Sequence, residues 1–77
     1  MKDRIPKEEI EKWLSKIRKE MENIDGKMDF IKNIEAYVND CEHWLKEGDY
    51  VLAFESVIWA WSWLEIGKEL GILNNID

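Results

Sequence analysis

Apolar residues recur at three- and four-residue steps along nearly the whole chain, the period of helices that bury one side. Ile10, Trp13, Leu14, Ile17, Met21 and Ile24 form one such stripe beside a face of Glu, Lys and Arg. They predict a first helix over about residues 6–24, with Pro6 suited to its first turn and Glu8 and Glu9 complementing the positive end of its dipole. Asp25-Gly26 follows the last periodic residue and reads as a turn or helix stop. The stripe of Phe30, Ile31, Ile34, Tyr37, Val38, Cys41, Trp44 and Leu45 predicts a second helix over about 28–47. Gly48 then supplies a left-handed C′ position and Asp49 the next N-cap, so Glu47-Gly48-Asp49-Tyr50 is a tight connection between antiparallel helices. The third helix is expected over about 50–70, stopped by Gly71, and Ile72 to Asp77 is a short tail able to fold back on the bundle. Strand signals are missing: Thr is absent, Val occurs three times and no period-two run exists. The expected fold is all-α, an antiparallel three-helix bundle forming one domain over residues 1–77.

The third helix differs from the other two. At 3.6 residues per turn, Glu55, Ser62, Glu65 and Glu69 gather into one narrow polar band, and almost every other direction is apolar. Ala53, Val57, Ala60, Leu64 and Gly67 form the middle of the expected buried face. Leu52, Trp59, Trp63, Ile66 and Leu70 lie on one flank, and Tyr50, Phe54, Ile58 and Trp61 on the other. Ala53, Ala60 and Gly67 recur every seven residues, a line of small side chains that permits close approach of a neighbouring backbone. Tight packing within the chain is the plainer account of that line; a ligand groove between the tryptophans is the alternative.

Composition narrows the function. The chain has 77 residues, 45% hydrophobic and 36% charged, too apolar for disorder and too polar for a membrane bundle. A chain this short has little room for a core and a deep catalytic cleft together. Its net charge of −6 argues against nucleic acid or an anionic membrane as the main partner. Residues 1–27 hold eight basic and seven acidic side chains, and this mildly basic third has acidic neighbours within its own fold. The single cysteine, Cys41, forms no internal disulfide. The N-terminus carries no apolar signal region, and the longest uncharged stretch, Ser56 to Leu64, is nine residues. A cytoplasmic location is expected.

Candidate chemistry is sparse. Asp40 and His43 have the three-residue spacing of half a carboxylate–histidine metal pair, but a di-metal bundle needs two such pairs and two more carboxylates. Cys41 falls on the apolar stripe of the second helix, where a small buried hydrophobe fits better than a nucleophile. Glu55 and Glu65 sit near opposite ends of the third helix and are read as solvated. No phosphate loop, Cys-x-x-Cys pair or Ser-His-Asp set is present. No cofactor or metal is expected, and the chain is read as a non-enzyme. The feature above background is aromatic: Trp13, Trp44, Trp59, Trp61 and Trp63 in so short a chain. Such residues fill cores and also anchor interfaces.

The segment from Ala36 to Leu73 resembles a family of short archaeal proteins known only as domain of unknown function 357. The resemblance rests on Ala36-Tyr37, Asp40, the Trp44 to Val51 turn, Ala53-Phe54-Glu55, Trp59-Ala60-Trp61, Trp63-Leu64-Glu65, Gly67 and Leu70-Gly71. Residues 1–35 match only in being helical. The resemblance implies a compact helical bundle with no assigned activity. Because some relatives are joined to a nucleotidyltransferase-like domain, it also implies an accessory role as one alternative.

The expectation is therefore a protein-interaction or assembly module that pairs as a homodimer. Two apolar stripes, one from each of the first two helices, cannot cover all of the third. The Tyr50, Phe54, Ile58 and Trp61 flank is the expected interface, with Glu65 and Lys68 as its charged rim, and the Leu52, Trp59 and Trp63 flank is assigned to the core. A small-molecule-binding bundle using the Ala53, Ala60 and Gly67 line is the other reading.

Overall fold

A computed structural model describes residues 5–76. Three helices, α1 (Lys7–Glu22), α2 (Met28–Glu47) and α3 (Tyr50–Glu69), form the bundle, and two short strands, β1 (Ile24–Gly26) and β2 (Leu73–Asn75), tie its open end. The α2–α3 hairpin is the most extensive packing in the molecule, and α1 lies more against α3 than against α2. The core is the cluster of Ile10, Leu14 and Ile17 from α1, Ile34, Val38 and Cys41 from α2, and Ala53, Val57, Ala60 and Leu64 from α3. Ile24 and Leu73 close it at the sheet end. Periodicity thus places the buried line of every helix correctly.

The hairpin turn follows from its residues. Gly48 adopts φ 82°, and the N–H groups of Gly48 and Asp49 donate to the carbonyls of Leu45 and Trp44, the paired bonds that close a helix through a left-handed residue. Asp49 then accepts the Leu52 N–H on Oδ1 at 3.0 Å and starts α3. The same closure recurs at Gly71, where φ is 75° and the Gly71 and Ile72 N–H groups donate to Lys68 and Gly67.

Two expectations change. The first helix ends at Glu22, short of residue 24, and Asp25-Gly26 is part of a strand rather than a turn. β1 pairs antiparallel with β2 in the register Ile24 to Asn75, Asp25 to Asn74 and Gly26 to Leu73, extended by bonds from Lys27 N–H to Ile72 O and Ile76 N–H to Asn23 O. The cause is burial at long range: Ile24 and Leu73 both enter the core, and the backbone beside them finds partners in each other. The tail therefore folds back, as a strand.

Two measurements check this account. Gly48→Val should cost about 1–2 kcal/mol in a denaturant melt, because a β-branched side chain is strained at that φ although open space surrounds the site. Leu73→Ala should cost about 2–5 kcal/mol, the range for emptying a fully buried leucine site, and should expose the ladder amides of Lys27 and Ile76 to hydrogen exchange.

Candidate interaction surfaces

α3 is wedged between α1 and α2, so each neighbour covers part of one flank. On the α1 side, Trp61 packs edge-on against Trp13, with ring centroids 5.9 Å apart, and its indole N–H donates to the Trp13 carbonyl at 3.2 Å. About two turns further on, Lys68 reaches Glu20 at 2.8 Å. Tyr50, Phe54 and Trp61 are half-buried against the core, and of the expected interface residues only Ile58 is exposed, at 40%. Lys68 is thus committed to the fold and is no free rim charge. Between the two helices runs a shallow apolar groove lined by Trp13, Ile58, Trp61, Ser62 and Glu65, with the Lys16 ammonium 5.0 Å from the Trp13 ring centre on its α1 side.

The flank toward α2 is only partly in the core. Tyr37 stacks on Trp59 with centroids 6.2 Å apart, and Phe30 meets Trp63 edge-on at 5.6 Å. Yet Trp59 is 53% exposed, Ile66 43% and Leu70 68%, where this flank was assigned to the core. A single tyrosine ring on α2 covers one face of Trp59 and leaves the other to solvent. Trp63 and Leu52 lie half-buried beneath. The Trp63 indole N–H is buried without an acceptor among the described residues.

The remaining candidates resolve simply. Ala53 and Ala60 are fully buried and Gly67 is buried beneath Leu73 and Phe30, which leaves no groove along that line. Asp40 and His43 are both exposed, His43 lying against Trp44, and no three His, Cys, Asp or Glu side chains converge among the described residues. A groove between α1 and α2, missed in the sequence, holds Arg18, Glu22, Glu35, Asn39 and Glu42 above Met21 and Val38. Arg18 and Glu42 form an ion pair across it. Its signal would have been the charges beside the α2 stripe, which sequence alone reads as a solvated face. Glu55 and Glu65 are exposed, as expected.

No helix among the described residues is long and apolar enough to cross a membrane. Residues 4–73 match the family described as protein of unknown function, DUF357. The chain belongs to the DUF357 family. The match runs through α1 as well as the Ala36 to Leu73 segment. The crystal structure of protein AF1782 from Archaeoglobus fulgidus, a DUF357 member from an archaeon, is 48% identical, with a TM-score of 0.87 over 90% of this chain and 91% of that one. No curated protein matches the chain. DUF357 carries no known catalytic role, and the three-helix bundle is the shared fold.

Cys41 gives a direct check on core integrity in this DUF357 chain. Burial pushes its thiol up from 9.0 to about 11, against the opposing pull of the Arg18 guanidinium. The folded-state value lies above the unfolded one, so the stability contributed by keeping the thiol protonated is full below pH 9 and is lost as pH rises to about 11. Cys41 should resist a thiol reagent at pH 8 in the native protein and react at once in denaturant.

Proposed function

We propose that this DUF357 protein is a non-enzymatic interaction and assembly module of the cytoplasm that pairs with a second copy across the α1–α3 face. One observation carries the reading: the apolar groove of Trp13, Ile58 and Trp61 is bracketed by opposite charges, Lys16 on the α1 side and Glu65 on the α3 side. α1 and α3 run in the same direction, and a constant offset of 48 residues sets Trp13 level with Trp61 and Glu20 level with Lys68. That offset places Lys16 level with Leu64 and Glu65. A two-fold axis parallel to the helices sets α3 of one copy against α1 of the other at the same height, so Lys16 faces Glu65 twice. A two-fold perpendicular to the helices sets α3 against α3 and brings the acidic band onto itself, which like-charge repulsion disfavours.

Size supports engagement of the whole face. A molecule of 40 × 18 × 18 Å offers roughly 700 Å² on one long side, close to the about 800 Å² per partner of an ordinary stable interface. Tyr50 and Phe54 then extend the contact beyond the groove. The overall charge of −6 disfavours nucleic acid and anionic lipid as partners, and a lone buried thiol suits a reducing compartment.

Sedimentation equilibrium at micromolar concentration should return a dimer mass. Ile58→Glu places a charge at the most open apolar position of this face without touching the Trp13–Trp61 contact, and should yield a monomer with unchanged far-UV circular dichroism. A monomer mass for the natural chain overturns the proposal.

A further inference from the structure

Leu52, Ser56, Trp59, Trp63, Ile66 and Leu70 are separated by alternating steps of four and three, the spacing of a helix-pairing seam. α3 already carries one such seam, Ala53, Val57, Ala60, Leu64 and Gly67, which the fold consumes entirely. The second is only half used. α2 contributes Tyr37 and Phe30 to it, and Trp59, Ile66 and Leu70 keep 53%, 43% and 68% of their surface open. Replacing these outer atoms with polar groups costs the isolated bundle little, so folding gives no reason for the strip.

Charge and size state what covers it. Asp40, three residues after Tyr37, and Glu55, four before Trp59, are exposed along its two edges, and Glu69 stands at its end. The lysines of α2 and α3 lie elsewhere. Lys32 and Lys46 are each seven residues from Asn39, which lines the α1–α2 groove, and Lys68 is held by Glu20. A second copy on this strip would bring acid edge against acid edge. From Leu52 to Leu70 the strip is about 27 Å long and about one helix wide, roughly 270 Å². That is well short of the about 800 Å² that a stable dimer buries on each side, and it matches one helix of about five turns.

We propose that this α2–α3 strip docks an amphipathic helix of a protein partner, with an apolar seam flanked by Lys and Arg. The partner's apolar side chains seat against the open face of Trp59 and beside Ile66 and Leu70, and its basic residues meet Asp40, Glu55 and Glu69. This surface lies on the opposite flank of α3 from the proposed self-association face.

The probe is a synthetic 18-residue helix with leucines at three- and four-residue steps flanked by lysines, compared with the same peptide carrying glutamates. Binding to the full chain is followed by peptide fluorescence anisotropy near physiological salt. The lysine peptide should bind at least about tenfold more tightly than the glutamate peptide. Trp59→Ala and, separately, Ile66→Glu should each weaken it at least about tenfold, as loss of an anchor does. Both variants should keep the sedimentation mass and circular dichroism of the natural chain, so failure here and failure of self-association are separate results. Equal binding of the two peptides, or binding unaffected by both substitutions, overturns the proposal. So does a dimer that falls to monomer on Trp59→Ala with its fold intact, since a second copy would then be the occupant.

Discussion

Close approach along the central line of α3 is the constraint on which the molecule rests. Ala53, Val57, Ala60, Leu64 and Gly67 are all buried, and three of the five side chains are no larger than a methyl group. That lets α1 and α2 both reach the same helix. At Gly67 the line becomes specific: an added Cβ would lie 2.6 Å from Leu73 Cδ1 and 2.8 Å from Phe30 Cε2. Leu73 occupies the space that Gly67 leaves, and through it β2 is anchored. β2 in turn holds β1, and β1 sets where α1 must stop. One missing side chain on α3 thereby decides the far end of α1.

The parts legible in the sequence are those decided by neighbours in the chain. Gly48 and Asp49 declare their turn because a left-handed backbone and a capping carboxylate are local requirements, and α2 matches its expected bounds at both ends. Ile34, Val38 and Cys41 fall on the buried side of a simple amphipathic stripe. The strands were hidden because three residues carry no period, and because Ile24 pairs with Asn75 across fifty residues of chain. No propensity at Asp25 or Asn74 announces that pairing. It arises from the burial of Ile24 and Leu73 together.

The flanks of α3 failed for another reason. A helix that is apolar in nearly every direction has no preferred side, so its own pattern cannot say which neighbour covers which tryptophan. The answer lies in residues on other helices. Trp13 on α1 offers Trp61 both an aromatic ring and a backbone carbonyl, whereas α2 opposes Trp59 with Tyr37 alone. The Asp40–His43 spacing was legible, but both side chains are exposed and no third ligand converges on them among the described residues. The charged α1–α2 groove was illegible, because Arg18 and Glu42 meet only once two helices are brought together.

These features make α3 a fixed axis between two surfaces. Trp59 and Trp61 are two residues apart, about 160° around the helix, so the two flanks point in nearly opposite directions. Turning α3 by one residue would carry Glu65 or Lys68 toward the core line and remove Leu64 or Gly67 from it, at the cost of an unpaired charge among Ile17, Ile34 and Leu73. The helix therefore cannot trade one flank for the other. Leu64 and its neighbours hold the angle between the two proposed surfaces as firmly as they hold the core. A bundle of three helices is too small to build two separate interaction domains. Distributing two surfaces around one clamped helix needs no further chain.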